Sequence, residues 1–187
     1  MQLHLVRVER LHPAEDQIDV LLRGPRLLAC RARDGVAQTP YLQPVYDTLL
    51  IWTSDGVKPR QAEAVRIIDA STYELDIRAG ITFSDGATFD AAAVVASYER
   101  AMANEASPQT PFYSNIASIT ATSDMTVRFE LVNPTTVFLE DLTWLPGMVT
   151  SPNATDLDTV PVGAGGWVLD TASTRAGVQQ DFVARTA

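Results

Sequence analysis

Cysteine and histidine are scarce in this chain of 187 residues, which contains one cysteine, Cys30, and two histidines, His4 and His12. A single cysteine cannot form a disulfide within the chain or build a multi-cysteine metal site. The two histidines have no cysteine beside them, so solvated or packed imidazoles are favoured over metal ligands. We therefore expect no intrachain disulfide, no metal site and no cofactor.

Positive charge is in the minority, because 14 Lys and Arg oppose 23 Asp and Glu for a formal net charge of −9. Binding to nucleic acid or to an anionic membrane surface needs a clustered Lys/Arg footprint, and the sequence has no basic run. No apolar stretch is long enough to span a membrane, so direct membrane insertion is not expected. The length and the 46% of hydrophobic residues suffice for one sizeable core, or for one domain with an appendage.

A continuous apolar leader is also missing. The segment Leu27-Leu28-Ala29-Cys30 is similar to the lipobox at which bacterial lipoproteins are cleaved and acylated. An export signal needs an uninterrupted apolar region, however, and charged residues break up or flank the candidate region 18–28. They are Asp16, Asp19, Arg23 and Arg26. We favour a chance cysteine over a lipidation site and expect no signal peptide in this chain.

Motifs of catalysis are absent as well. The sequence has no Gly-x-Ser-x-Gly elbow with a histidine after it, so a hydrolase is not expected. Gly163-Ala164-Gly165-Gly166 lacks the Lys-Ser/Thr ending of a phosphate loop and is more typical of an entry to a strand. Asp85 and Asp90 stand where a turn and a helix cap need an oxygen. We expect no catalytic residues, and hence no enzyme.

The most informative segment runs from Leu75 to Val94, together with the strand that leads into it and the helix that continues it. Apolar residues alternate over 72–78, which predicts a strand with Tyr73, Leu75 and Ile77 facing inward. Glycine turns follow at Gly80 and Gly86, and Asp90 is a plausible N-cap for an alanine-rich helix over 91–103. This order predicts an α/β unit.

Further elements are predicted on both sides of this segment. They are a helix over 41–50, a strand pair over 64–69 and 72–78, a loop over 104–114, a strand pair over 116–121 and 125–132, a helix over 136–142 that Asn133-Pro134 starts, a loop over 151–160, and a strand pair over 167–170 and 179–183. Residues 3–8 and 18–22 form two short apolar runs before them. We predict a structural ion pair of Arg78 with Asp85 or Asp76, and a capping or solvated role for Glu140 and Asp141.

Five motifs in a fixed order resemble those of the family 5 extracellular solute-binding proteins, the peptide, opine and nickel receptors of ABC importers. They are Pro44-Val45-Tyr46-Asp47-Thr48-Leu49-Leu50, Asp55-Gly56-Val57-Lys58-Pro59, the stretch from Ile77-Arg78-Ala79-Gly80 through Phe83-Ser84-Asp85-Gly86 to Val94, Asn133-Pro134 with Phe138-Leu139, and Met148–Pro152 with Pro161–Trp167. The resemblance covers roughly residues 40 to 185. Ala87 and Gly166 replace prolines of the family pattern. The tryptophan that the family usually has shortly after the proline equivalent to Pro59 is missing from Gln61–Val65.

The resemblance implies an α/β fold of the periplasmic-binding-protein type II kind, with mixed sheets and short helices, of which only the first lobe is expected here. Residues 1–37 do not match the family and are predicted to be a divergent segment, whereas residues 38–187 form a partial first lobe. The implied function is that of the substrate-binding component of a bacterial ABC importer. It would be extracytoplasmic, and its partners would be the permease subunits and a small solute, with a short peptide as the first choice.

Two other readings stay open. One is a truncated fragment that binds nothing, or a structural or interaction module. The other is a metal or haem receptor.

If the family pattern holds, ligand lies between two lobes and two loops face it. The expected ligand-binding residues are Gln109, Phe112, Tyr113, Trp144, Gly147 and Met148. Ordinary core packing is an equally good account of the three aromatic residues.

Overall fold

The structure, a computed structural model, describes residues 8–9, 17–21, 42–105, 107–157, 159–174 and 179–185. The predictions made for His4, His12 and Cys30 therefore lie outside the described residues. The same holds for residues 3–7 of the first apolar run, for residue 22 of the second run and for residue 41, the first residue of the helix predicted over 41–50.

Ten strands and four α-helices make up the described residues. The strands are β1 (Val8–Glu9), β2 (Gln17–Leu21), β3 (Leu50–Thr53), β4 (Gly56–Pro59), β5 (Ala62–Ile67), β6 (Thr72–Ile77), β7 (Ile116–Ser123), β8 (Thr126–Leu131), β9 (Trp167–Leu169) and β10 (Gln179–Ala184). The helices are α1 (42–46), α2 (Ala91–Met102), α3 (Thr110–Tyr113) and α4 (Phe138–Asp141), with a 3-10 turn at Leu145–Gly147.

The strands form a hairpin of β3 with β4 and two four-stranded sheets, ordered β5-β6-β8-β7 and β1-β2-β10-β9. All recorded pairs are antiparallel, including the three predicted pairs, which are confirmed. Strand β2 from the N-terminal segment pairs with β10, so this segment and the end of the chain share one sheet. The division of the chain at residue 38 remains a prediction.

The main core lies between the sheet β5-β6-β8-β7 and helix α2. Tyr73, Leu75 and Ile77 point into it, as their alternation predicted, because successive strand residues face opposite sides of a sheet. Helix α2 begins at the predicted cap, where the Asp90 carboxylate accepts the Ala93 N–H at 2.8 Å. Its buried face includes Val94 and Tyr98.

A second, smaller core joins α1 to the sheet β1-β2-β10-β9. It consists of Val45, Tyr46, Leu169 and Phe182. Gly163 and Gly165 connect the two cores, and a Cβ at Gly165 would overlap the backbone of Pro44 and Val45. The chain can approach α1 this closely only because these positions have no side chain.

Three predicted boundaries were wrong. The helix predicted over 41–50 ends at residue 46, because Asp47 adopts φ +57° and Leu50 already begins β3. The loop predicted over 104–114 contains α3, whose first turn accepts Pro111 because proline lacks the N–H that is unpaired there. The helix predicted over 136–142 is confined to α4, with Val137 and not Asn133-Pro134 at its start.

The ion pair predicted for Arg78 was also wrong, because both of its expected partners are engaged elsewhere. Asp76 pairs with Arg66, and Asp85 accepts the hydroxyl of Ser151 at 2.6 Å. Arg78 instead donates its Nε–H to the carbonyl of Arg60 at 3.2 Å.

The outer face of the main sheet carries a charge network across three strands. The Glu74 carboxylate on β6 accepts hydrogen bonds from Arg128 on β8 at 2.6 Å and from Arg66 on β5 at 3.0 Å. Arg66 also pairs with Asp76, which accepts the hydroxyl of Thr126 at 2.9 Å. The hydrogen bonds from Arg128 and then Arg66 lower the pKa of Glu74 below its usual range.

We predict that Glu74→Gln lowers the thermal midpoint at pH 7 and that this deficit closes in acid. A carboxylate with a lowered pKa in the folded state stabilises the fold above its unfolded pKa, and the stabilisation is lost as the pH falls through the folded pKa. Thermal unfolding followed between about pH 3 and pH 8 measures the effect, since an unperturbed glutamate titrates near 4.3. Glu130→Gln, which removes an exposed carboxylate from β8, is the matched control. A deficit that is constant with pH would contradict the prediction.

Candidate functional site

Helix α3 places two of the predicted ligand-binding aromatics side by side. The ring of Phe112 stacks on Phe138 of α4 at 5.7 Å between centroids, with the planes 1° apart. The ring of Tyr113 meets Phe112 edge to face at 5.3 Å and Tyr98 of α2 at 6.0 Å. Both aromatics are thus half-buried against the main core, and they fix α3 over α2 and α4.

A cavity of about 550 Å³ opens between α3 and α4. We call it the α3–α4 cavity. Its lining consists of Pro108, Gln109, Pro111, Phe112, Ser114, Asn115, Asn133, Thr135, Val137, Phe138 and Asp141. Two aromatic rings supply an apolar wall, whereas three side-chain amides, two hydroxyls and one carboxylate supply polar groups. Small-ligand sites combine apolar and aromatic walls with a few polar groups, and this lining contains both kinds, with the polar residues in a slight majority.

Two asparagines hold the cavity wall together. Asn115 Nδ2 donates to the carbonyl of Asn133 at 3.0 Å, and Asn115 Oδ1 accepts the backbone N–H of Asn133 at 2.9 Å. This clasp ties the start of β7 to the segment that follows β8. Among the described residues, the Asn133 side chain makes one long contact of 3.4 Å, to the same oxygen, and this contact uses one of its two amide protons.

Asp141 is the acidic group of the cavity. Burial raises the pKa of Asp141, and the neighbouring charge of Glu140 adds to this effect. Among the described residues, no hydrogen-bond donor or cation contacts the Asp141 carboxylate. A ligand with an ammonium or N–H group would therefore supply the hydrogen-bond donor that no described residue gives to this carboxylate.

The second predicted loop is anchored by a hydrogen bond from the core. Tyr98 donates its hydroxyl to the buried carbonyl of Pro146 at 2.6 Å, and burial raises the pKa of Tyr98 well above its usual value. Gly147 is buried against Leu142, and the position requires glycine because a Cβ there would overlap the Leu142 carbonyl. Met148 packs against the second core.

The structure thus separates the six predicted residues. Gln109 and Phe112 line the α3–α4 cavity, Tyr113 lies behind it against Tyr98, and Trp144 is 58% exposed on the second loop. Gly147 and Met148 have packing roles that explain them without a ligand. Ligand contact by any of the six remains a prediction.

Of the polar residues of the cavity, sequence reasoning predicted only Gln109 as a ligand contact. Asn133 was interpreted as part of a family motif and as the start of a helix, and Asp141 as a capping or solvated residue. No motif marks Asn115 or Thr135. The sequence signal that could have found them is the cluster of amide, hydroxyl and carboxylate side chains around α4, close to the aromatic pair of α3.

The described residues offer neither a metal cluster nor a membrane-spanning helix. The described residues contain no group of three or more His, Cys, Asp or Glu side chains placed to hold a metal ion. Within the same ranges, no helix has the length and apolar character needed to cross a bilayer.

The described residues form an α/β unit of antiparallel sheets and short helices with an open cavity whose lining is partly polar and partly apolar. Residues 56–184 match the family model described as bacterial extracellular solute-binding proteins, family 5 Middle. Because the match spans more than half of the chain, the chain belongs to the family 5 bacterial extracellular solute-binding proteins, as its motifs predicted.

Curated relatives support the same assignment. The chain is 35% identical over 121 residues to the glutathione-binding protein GsiB of Salmonella paratyphi A (strain ATCC 9150 / SARB42), and 36% identical over 122 residues to GsiB of Escherichia coli (strain K12). In each case the match covers 62% of this chain and 23% of the relative. The chain thus spans about a quarter of the length of the curated relatives it matches.

Solved structures confirm the predicted type of fold. NikA from Brucella suis, in complex with Fe(III)-EDTA, superposes with a TM-score of 0.68 at 26% identity, over 77% of this chain and 30% of that chain. MoaA from A. tumefacien R10, in complex with mannopinic acid, gives a TM-score of 0.74 at 17% identity, over 87% of this chain and 35% of that chain. The second likeness is evidence of the fold alone.

We predict that Tyr98→Phe lowers the free energy of unfolding by about 1–3 kcal/mol, because the Pro146 carbonyl would be left buried without a donor. Urea unfolding measures this loss. Tyr73→Phe is the matched control, since it removes a hydroxyl from another core tyrosine, and this hydroxyl donates at 3.2 Å to the carbonyl of Thr135, a residue that is only half-buried. An equal loss in both variants would contradict a special role for the buried bond.

We also predict that Asp141→Asn stabilises the protein at neutral pH. The raised pKa means that the folded state holds the proton more tightly, so the native protein loses stability as the pH rises through the titration of Asp141. The variant does not titrate, and its advantage should disappear below the unfolded pKa of aspartate. Thermal midpoints measured against pH test this. Glu140→Gln should give a smaller gain of the same sign, and a loss of stability in Asp141→Asn at neutral pH would refute the idea.

Proposed function

We propose that this chain is part of the first lobe of the substrate-binding component of a bacterial ABC importer. It acts outside the cytoplasm, binds a short peptide and presents it to the permease subunits. The peptide lies in the cleft between this lobe and a second lobe, and the chain itself does no chemistry. The observation that carries this proposal is the α3–α4 cavity.

The cavity suits a peptide because its polar groups match a peptide backbone. Side-chain amides both donate and accept, as do the amides of a peptide, and Gln109 and Asn133 supply them on the cavity wall. Asp141 supplies an acceptor for an N-terminal ammonium or an amide N–H. The rings of Phe112 and Phe138 give an apolar surface that tolerates different side chains.

The relatives favour the same ligand class. GsiB is named for binding glutathione, which is a tripeptide with one γ-linkage. The structural neighbours are named with an iron chelate and with mannopinic acid, so related folds accept several kinds of small polar solute. A peptide is preferred here because the cavity groups are amides, hydroxyls and one carboxylate. The metal-receptor alternative finds no matching set of ligands among the described residues.

Isothermal titration with a dipeptide, tri-alanine and glutathione tests the proposal on the full chain. We expect measurable heat and a rise of the thermal midpoint with at least one peptide. Gln109→Ala should weaken the affinity by about fivefold, the loss expected for one hydrogen bond, because Gln109 makes no side-chain hydrogen bond that the fold needs.

The matched control is Asn153→Ala, which removes an exposed amide from a loop outside the cavity lining. It should leave both affinity and thermal midpoint unchanged. Absence of heat and of a thermal shift with all three peptides would refute binding by this chain and favour the non-binding fragment. Binding that Gln109→Ala leaves intact would refute the assigned cavity.

A further inference from the structure

A second cavity, of about 390 Å³, lies where α1, the start of β5 and the start of β9 meet. We call it the Arg60 cavity. Its described lining consists of Gln43, Pro44, Asp47, Arg60, Gly166 and Trp167. None of these residues was predicted to bind ligand, and none lines the α3–α4 cavity.

One ion pair holds the guanidinium of Arg60 in this cavity, and two hydrogen bonds hold its backbone. Its Nε pairs with the carboxylate of Asp47. The Arg60 backbone N–H donates to Leu49 at 3.1 Å, and its carbonyl accepts Arg78 Nε. Asp47 is itself held in place, because its Oδ1 also accepts the Thr48 N–H at 2.8 Å. The Asp47 backbone adopts the left-handed conformation, which aspartate tolerates.

This arrangement leaves the far edge of the guanidinium available. Asp47 engages Nε, and no described group accepts a hydrogen bond from Nη1 or Nη2 of Arg60. Two parallel N–H donors in a plane match the two oxygens of a carboxylate. The single acid of the cavity lining is Asp47, and the guanidinium of Arg78 lies against the Arg60 carbonyl, so the local charge favours an anion although the chain as a whole is acidic.

The remaining walls suit an organic anion better than an inorganic one. Trp167 is half-buried, packs against the second core and contributes an indole surface to the cavity. Gly166 beside it leaves open space, because a Cβ at that position would meet nothing within 4 Å. Its neighbour Gly165 has no such room, since a Cβ there would overlap the backbone of Pro44 and Val45.

We propose that the Arg60 cavity is a carboxylate-binding subsite, in which Nη1 and Nη2 of Arg60 bind the carboxylate of a small organic molecule and Trp167 packs against its apolar part. Asp47 is a positioning residue that aims the guanidinium. The proposal goes beyond peptide binding in the α3–α4 cavity and does not depend on it. A free organic acid and the C terminus of a peptide share this chemistry.

The test uses benzoate, with benzamide as its uncharged analogue, and tri-alanine with a free or an amidated C terminus. The readout is the indole N–H resonance of Trp167 in two-dimensional NMR spectra, assigned with Trp167→Phe. We expect a saturable shift with benzoate and none with benzamide. If free tri-alanine produces the shift and the amidated peptide does not, peptide C termini also occupy the subsite.

Three variants place the effect in this cavity. Arg60→Lys keeps the charge but loses the two-donor edge, and should weaken benzoate binding about tenfold. Gly166→Leu fills the open space and should abolish the shift, and it needs no backbone movement at its Cβ. Lys58→Gln is the charge control, because it removes one exposed cation outside the lining and should change little.

Equal shifts with benzoate and benzamide would overturn the proposal, and so would a full benzoate response in Arg60→Lys or in Gly166→Leu. Thermal unfolding shows whether each variant is folded, and Gly166→Leu keeps the test decisive if Arg60→Lys is unstable. The outcome is separable from that of peptide binding. A benzoate response without peptide heat supports the subsite and refutes the peptide function. Peptide heat that Arg60→Lys and Gly166→Leu leave unchanged, without a benzoate response, supports the peptide function and refutes the subsite.

Discussion

The burial of Tyr98 is the constraint on which the arrangement of the candidate site depends. Its ring lies at 5.1 Å from Phe129 of the main sheet and 6.0 Å from Tyr113 of α3, and its hydroxyl reaches the Pro146 carbonyl. One side chain of α2 thus contacts the sheet, the helix beside the α3–α4 cavity, and the loop that carries Trp144. Because the phenol is fully buried, its hydroxyl must have a partner, and this need fixes the distance between α2 and the second loop.

The junction between the two cores depends on two kinds of contact, which are close backbone packing at glycines and a few hydrogen bonds. Gly163 and Gly165 let their segment approach α1, and Gln61 donates to the carbonyls of Tyr46 and Ala164 across the seam. Among the described residues, no group donates a hydrogen bond to the buried Oε1 of Gln61, and this lowers the stability that the side chain gains by tying two chain segments together. Arg185 closes the other side by donating to the carbonyls of Thr82 and Phe83.

Much of the fold could be predicted because its signals are local. The alternation of Tyr73, Leu75 and Ile77 indicates one face of a strand, and Asp90 before an alanine-rich run indicates a helix start. The helix after Pro44 was predicted too long because its end depends on Asp47 adopting φ +57° and on the pairing of the next residues with a distant loop. A single sequence does not show such tertiary hydrogen bonds.

The candidate site was predictable only in part for the same reason. Gln109 and Phe112 were expected from the position of their loop in the family pattern, whereas Asn133 and Asp141 join them through the packing of α3 on α4. The cavity is therefore a product of tertiary structure, and of its polar residues only Asn133 belongs to a family motif. Arg60 was missed because it follows a turn as an ordinary exposed arginine, and only the partner of its Nε distinguishes it.

The arginines of the described residues separate into two groups by the use of their donors. Arg66 and Arg128 donate hydrogen bonds from their Nη groups to the carboxylates of Glu74 and Asp76. The Nη groups of Arg100 and Arg185 donate to backbone carbonyls and threonine hydroxyls. A guanidinium with its Nη groups engaged acts as a structural crosslink and has little left to offer a solute. Arg60 and Arg78 each use Nε alone, Arg78 with a backbone carbonyl and Arg60 with a carboxylate that directs its guanidinium. The usual cost of recruiting an arginine to a ligand is the ordering of its long side chain, and the ion pair with Asp47 offsets part of that cost at Arg60.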